Sequence, residues 1–105
     1  MRKAKRRYLA LKIESDVMIT ADALMDTVWQ AVQKLYGERG ASISGLSLMI
    51  FEPQEKSAIL RASREAVDMV RASIATITKI DGKPSAVHVL AVSGTIKSLR
   101  QKAHL

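Results

Sequence analysis

Two stretches with helical hydrophobic spacing stand among four runs of strand character, and this order limits the chain to a few folds. Tyr8 to Ile13 reads YLALKI, an apolar run with one outward lysine, which suits a first strand. Thr20 is placed to cap a helix, with Asp22 in its first turn, where the helix dipole favours an acid. Ala21, Leu24, Val28, Val32 and Leu35 then recur along one helix face until Gly37 and Gly40 end it. Ser42 to Phe51 and Lys56 to Ala62 are strand-like, with Glu52-Pro53-Gln54-Glu55 as the hairpin loop between them. Ser63 is placed to cap a second helix, whose apolar stripe is Val67, Val70, Ile74 and Ile77. Asp81-Gly82-Lys83-Pro84 breaks the chain, and Ala86 to Val92 is a fourth strand. Ser93-Gly94-Thr95 leads into a short basic helix from about Ile96 to Ala103. The order β-α-β-β-α-β predicts an α+β, ferredoxin-like sandwich: a four-stranded antiparallel sheet, two helices on one face, and an extra C-terminal helix. In this expectation the first and last strands take the two edges of the sheet, and the chain ends need not touch.

Charge is distributed unevenly over this plan. Residues 1–7 hold Arg2, Lys3, Lys5, Arg6 and Arg7 without an acid, and residues 93–105 hold Lys97, Arg100 and Lys102 without an acid. The stretch between carries nine basic and all ten acidic residues, so the net charge of +7 resides at the two ends. The chain therefore divides into a basic N-terminal arm (1–7), a nearly neutral domain (8–92) and a basic C-terminal turn and helix (93–105). Two basic arms on a neutral body suit a polyanion, RNA or DNA first. At 105 residues and 48% hydrophobic content, one domain with its own core is expected. The absence of cysteine excludes disulfides and cysteine-ligated zinc and fits a reducing compartment. No apolar run reaches the roughly 20 residues of a membrane helix, and Lys12, Glu14 and Asp16 interrupt any signal-peptide reading of the start. A cytoplasmic protein with no membrane partner is expected.

Nothing in the pattern supports catalysis by this chain alone. Its two histidines, His88 and His104, are far apart and neither has an acid beside it in sequence; a strand histidine is usually structural. Glu52 and Glu55 flank a turn, which suits a solvated loop better than a metal site. No nucleophile elbow, phosphate loop or dinucleotide fingerprint is present. RNA-recognition domains share this element order, but they stack bases on sheet aromatics. The third strand here, Lys56 to Ala62, has none, and the first offers only Tyr8. Phosphate and shape are then what an RNA contact would read. The Ser93-Gly94-Thr95 turn opens a helix whose backbone N–H groups suit an anion, with Lys97 and Arg100 following; plain helix capping by Ser93 or Thr95 explains the same residues.

Two apolar surfaces exceed what one core needs. Met25, Trp29, Val32 and Tyr36 form a second row on the first helix, either a wide core face or a docking surface for a protein partner. The strands are apolar at nearly every position, which asks for cover on both sheet faces, by the C-terminal helix or by another subunit.

Lys5-Arg6-Arg7-Tyr8-Leu9 before the first strand, and Val92-Ser93-Gly94-Thr95-Ile96-Lys97 after the last, resemble the archaeal ribonuclease P protein component 2 family, whose eukaryotic relatives are subunits of nuclear ribonuclease P. Gly40-Ala41, Ile59-Leu60-Arg61 and Ser63-Arg64-Glu65 also look like that family. One departure is Ser57-Ala58, where relatives often have glycine. The resemblance implies a subunit of the ribonucleoprotein that removes the 5′ leader from precursor tRNA. Its RNA would carry out the magnesium-assisted hydrolysis, and this chain would hold no cofactor and no catalytic residue. The implied partners are ribonuclease P RNA, ribonuclease P protein component 3 and, within the complex, further copies. Arg2, Lys3, Lys5, Arg6, Arg7, Tyr8, Ser93, Gly94, Thr95, Lys97, Arg100 and Lys102 would then face RNA. Two other classes fit parts of the pattern. A small-molecule regulatory domain shares the element order but leaves the arms unexplained. A ribosomal-type structural protein explains the arms but not the terminal motifs.

Overall fold

Alternation along the first strand decides the layering. A computed structural model describes residues 5–103; Arg2 and Lys3 lie outside them. The elements are β1 (Arg6–Ser15), α1 (Ala21–Ile43), β2 (Ser47–Glu52), β3 (Ser57–Ser63), a 3-10 turn (Arg64–Ala66), α2 (Val67–Ala75), β4 (Lys79–Ile80), β5 (Lys83–Ser93) and α3 (Ile96–Ala103). Leu9, Leu11 and Ile13 of β1 turn to one face of the sheet, where they meet Leu24 and Val28 of α1, Val70 and Ile74 of α2, and Leu60 of β3. All eight are buried, each contributing on the order of 1.5–3 kcal/mol to burial of apolar surface. Ala10, between them, turns to the opposite face.

The sheet has five strands in the order β2-β3-β1-β5-β4, all neighbours antiparallel. This corrects the four-stranded expectation. Asp81 and Gly82 both take positive φ, 52° and 76°, so the breaker is a tight hairpin turn that folds β4 back on β5. It also corrects the edge assignment. β1 is central and pairs with both β3 and β5, from Tyr8 opposite Ser93 to Ser15 opposite Ser85 on the β5 side. The first and last long strands are neighbours.

Helix α1 begins as expected, with Thr20 Oγ1 accepting from Ala23 N at 3.1 Å. It does not end at Gly37. That residue leaves helical geometry (φ 74°, ψ −178°), after which the helix resumes and runs to Ile43. The strand expected from Ser42 therefore starts at Ser47. The second sheet face is covered in part by α3. Its fully buried Leu99 packs on Ala10 and Ile59, with Ile50, Ala91, Ile96, Ala103 and Tyr8 around them.

Candidate nucleic-acid interface

Strand register gathers the two basic ends at one place. Arg6 lies opposite Ser63 and Arg7 opposite Ala62 on β3, so both belong to β1 and not to a separate arm. On the other side of β1, Tyr8 faces Ser93 at the end of β5. Arg7 reaches the following turn: a Cβ on Gly94 would sit 3.6 Å from Arg7 Nη1. Arg7 also donates from Nη1 to the Arg6 carbonyl at 3.0 Å.

The Ser93-Gly94-Thr95 turn starts α3 by side-chain capping. Thr95 Oγ1 accepts from Ser98 N at 3.1 Å, and the Thr95 carbonyl accepts from Leu99 N at 3.0 Å. Ser93 is buried and its Oγ accepts from Thr95 N at 3.5 Å, so it shapes the turn from below. Gly94 and Thr95 are exposed. Along α3, Lys97 and Arg100 point to solvent, while Lys102 Nζ folds back to donate to the Val92 carbonyl at 3.3 Å.

Two arginines that sequence reasoning did not assign to this site join it through β3. Arg61 lies directly opposite Tyr8. Arg64 follows the strand end, and its N donates to the Lys5 carbonyl at 3.0 Å. The signal for Arg61 was its place as the one charge within an otherwise apolar strand end, Ile59-Leu60-Arg61-Ala62. The resulting end of the sheet holds Lys5, Arg6, Arg7, Arg61 and Arg64, with Lys97 and Arg100 on the adjoining helix. Among the described residues no lysine or arginine has a carboxylate oxygen within 4.0 Å; the one contact of a basic side chain with a carboxylate is His88 Nε2 to Glu14 Oε2 at 2.9 Å. A cluster of cations without internal counter-charges can lower its own repulsion by taking up an external polyanion. Also among the described residues, no group of three His, Asp or Glu is arranged to hold a metal ion.

The second row on α1 does not form one exposed stripe. Val32 is fully buried and leaves no surface for a partner; Met25 packs on the core, Trp29 is half-buried, and Tyr36 is 44% exposed. On α1, the exposed apolar residues lie toward its end, at Leu35, Tyr36 and Ile43.

An α+β sandwich whose paired strand ends present unmatched cations has a surface suited to a polyanion. A model of the Rpp14/Pop5 family matches residues 7–104, and the chain belongs to that family. Ribonuclease P protein component 2 of Pyrococcus horikoshii is 36% identical over 98 residues, covering 93% of this chain and 82% of its own length. The protein of that name from Methanobrevibacter smithii is 40% identical over 102 residues, 90% of this chain and 85% of its own. Among solved structures, a chain of yeast Ribonuclease MRP has the same fold, with a TM-score of 0.73 and 21% identity over 90% of this chain and 78% of that one.

Proposed function

We propose that this chain is the component 2 protein of an archaeal ribonuclease P, binding the catalytic RNA and assisting removal of the 5′ leader from precursor tRNA. The observation that carries this reading is the convergence of both basic termini, through the Tyr8–Ser93 pairing, on one cationic sheet end without carboxylate partners. Family membership supports it from a separate direction. In this reading the RNA and its magnesium perform the hydrolysis, in the cytoplasm. The protein neutralises phosphates, which releases counterions and lowers the magnesium needed to fold the RNA. Ribonuclease P protein component 3 is its protein partner. The apolar surface around Trp29, Leu35 and Tyr36 is offered for that contact.

The test is cleavage of precursor tRNA by an archaeal ribonuclease P RNA at low magnesium, with and without this chain and component 3. Stimulation that needs both proteins and fades when Lys5, Arg6 and Arg7 are replaced by alanine is expected. RNA binding without any stimulation would leave a structural RNA-binding protein and remove the leader-processing role.

A further inference from the structure

Four strands each give one residue to a row across the α3 side of the sheet: Ser47, Arg61, Tyr8 and Ser93. Arg61 stands inside this row. Its side chain is half-buried, and its Nε–H is sealed from solvent with no acceptor among the described residues. A donor withdrawn from water and left unbonded destabilises the free protein; native structures keep few such groups. It is the one buried side-chain nitrogen or oxygen without a partner among the described residues. An acceptor from outside the described residues would satisfy it.

The surroundings say which kind of acceptor. No carboxylate oxygen lies within 4.0 Å of Arg61 among the described residues. The adjacent strand positions bring Arg6 and Arg7 beside Ser63 and Ala62, and Arg64 is tied to Lys5. A single protein carboxylate would meet one of these cations and leave the rest unmatched. A chain of phosphates meets them in succession. The guanidinium offers Nε and Nη hydrogens as a planar fork that matches two oxygens of one phosphate, which an ammonium cannot do. We infer that Arg61 is a phosphate-binding residue that turns its covered Nε–Nη fork outward to grip one backbone phosphate of the RNA. Tyr8 and Ser47, on either side of it, carry hydroxyls suited to the same anion. The RNA path then crosses the sheet beside α3 and is not confined to the chain termini. This inference rests on the RNA-binding reading above.

The experiment measures binding of the full-length chain to ribonuclease P RNA across a KCl titration, for the wild type, Arg61→Met and Arg61→Lys. Thermal unfolding of each free protein and capture of component 3 are measured alongside. Arg61→Met should weaken RNA binding by about tenfold and flatten the log–log salt slope by about 0.7–0.9, one phosphate contact. Its Tm without RNA should equal or exceed that of the wild type, because the unbonded donor is gone. Arg61→Lys should keep the salt slope and still bind several-fold more weakly, because the charge remains and the fork does not. Wild-type affinity and slope in Arg61→Met would overturn the inference while leaving the RNA-binding reading in place. Loss of component 3 capture with RNA binding intact would overturn it too, assigning the donor to a protein carboxylate. Should Arg61→Met fold poorly, Arg61→Lys at unchanged Tm decides: binding equal to wild type overturns the fork. Failure of the wild type to bind RNA would sink the proposed function itself.

Discussion

The two ends of the α3-side sheet face have the same ingredients and opposite fates. At one end stand Arg6 and Arg61 with Tyr8 and Ser93, and Arg7 beside them on the strand. At the other, Glu52, Ser57, Lys12 and His88 form a row across the same four strands, with Glu14 one step beyond. The far end satisfies itself: His88 contacts Glu14 at 2.9 Å, Lys12 Nζ donates to the Glu55 carbonyl at 2.8 Å, and Lys56 Nζ donates to the Ser15 carbonyl. The near end does not, apart from the contacts of Arg7 and Lys102 to nearby carbonyls. Between the two ends α3 seals the apolar row Ile50, Ile59, Ala10 and Ala91 with Leu99. A surface whose polar groups find partners within the chain needs no ligand; one that keeps most of its cations without such partners is suited to an outside one.

The strongest way to break this contrast is to remove its divider. Leu99 is fully buried against Ala10 and Ile59, so Leu99→Ala leaves a cavity under α3. A loss of about 2–4 kcal/mol in urea unfolding is expected. Weaker RNA binding should accompany it, since Lys97 and Arg100 would lose their fixed place beside β1. Unchanged stability would mean that α3 is not docked as described.

Charge reversal sharpens the contrast directly. Arg6→Glu with Arg7→Glu should lower RNA affinity by about 10–100-fold, because two phosphate contacts are replaced by repulsion. Lys12→Glu with Lys56→Glu, the same change of net charge at the self-satisfied end, should leave affinity within about twofold. Filter binding at a single salt concentration compares the two; equal losses would show that only net charge matters and that the near end is no site.

What was legible in the sequence follows from what is local. Thr20 as a cap, the α1 stripe through Leu24, Val28 and Val32, the Glu52 to Glu55 hairpin and α3 all depend on spacings within one element, and each is where its residues put it, while Leu35, expected on the same stripe, is exposed. The basic termini were legible as charge, but their meeting was not. It depends on strand order, and no local pattern tells whether β5 lies beside β1 or at the far edge. Asp81-Gly82 was visible as a break, yet the same two residues make a hairpin, which needs a partner strand only two residues long. Gly37 read as a stop because glycine favours helix ends, while the helix resumes beyond it, with Gly40 and Ala41 buried. Val32 read as part of a partner surface because its row also contains Trp29 and Tyr36, and burial assigns it to the core. Arg61 shows the limit most plainly: its identity is in the sequence, but its unbonded Nε exists only once four strands are in register.

A smaller effect separates fold from site. Thr20→Ala removes the acceptor for Ala23 N at the start of α1, on the opposite side of the sheet from α3. It should cost about 1 kcal/mol in stability and leave RNA affinity at the wild-type value at temperatures where both proteins are folded. A parallel drop in affinity would tie RNA binding to α1 and undo the division between the two faces.

The smallest expected effect tests the self-satisfied end itself. His88 and Glu14 are both well exposed, with side chains 54% and 75% accessible, so water competes for each group. Exposed pairs of this kind contribute little because the gain in attraction is offset by screening and by the entropy of fixing two side chains. Glu14→Gln keeps the shape and a hydrogen-bonding oxygen but removes the charge. No measurable change in unfolding midpoint is expected, and RNA affinity should rise slightly at low salt as one negative charge is removed, a gain that disappears as salt is added. A large rise that persists at high salt would mean that RNA reaches this end too, and that the polarity of the face does not set where RNA lies. A fall would mean that Glu14 orders part of the site across the length of the sheet, a coupling for which β1, shared by both ends, is the one continuous connection.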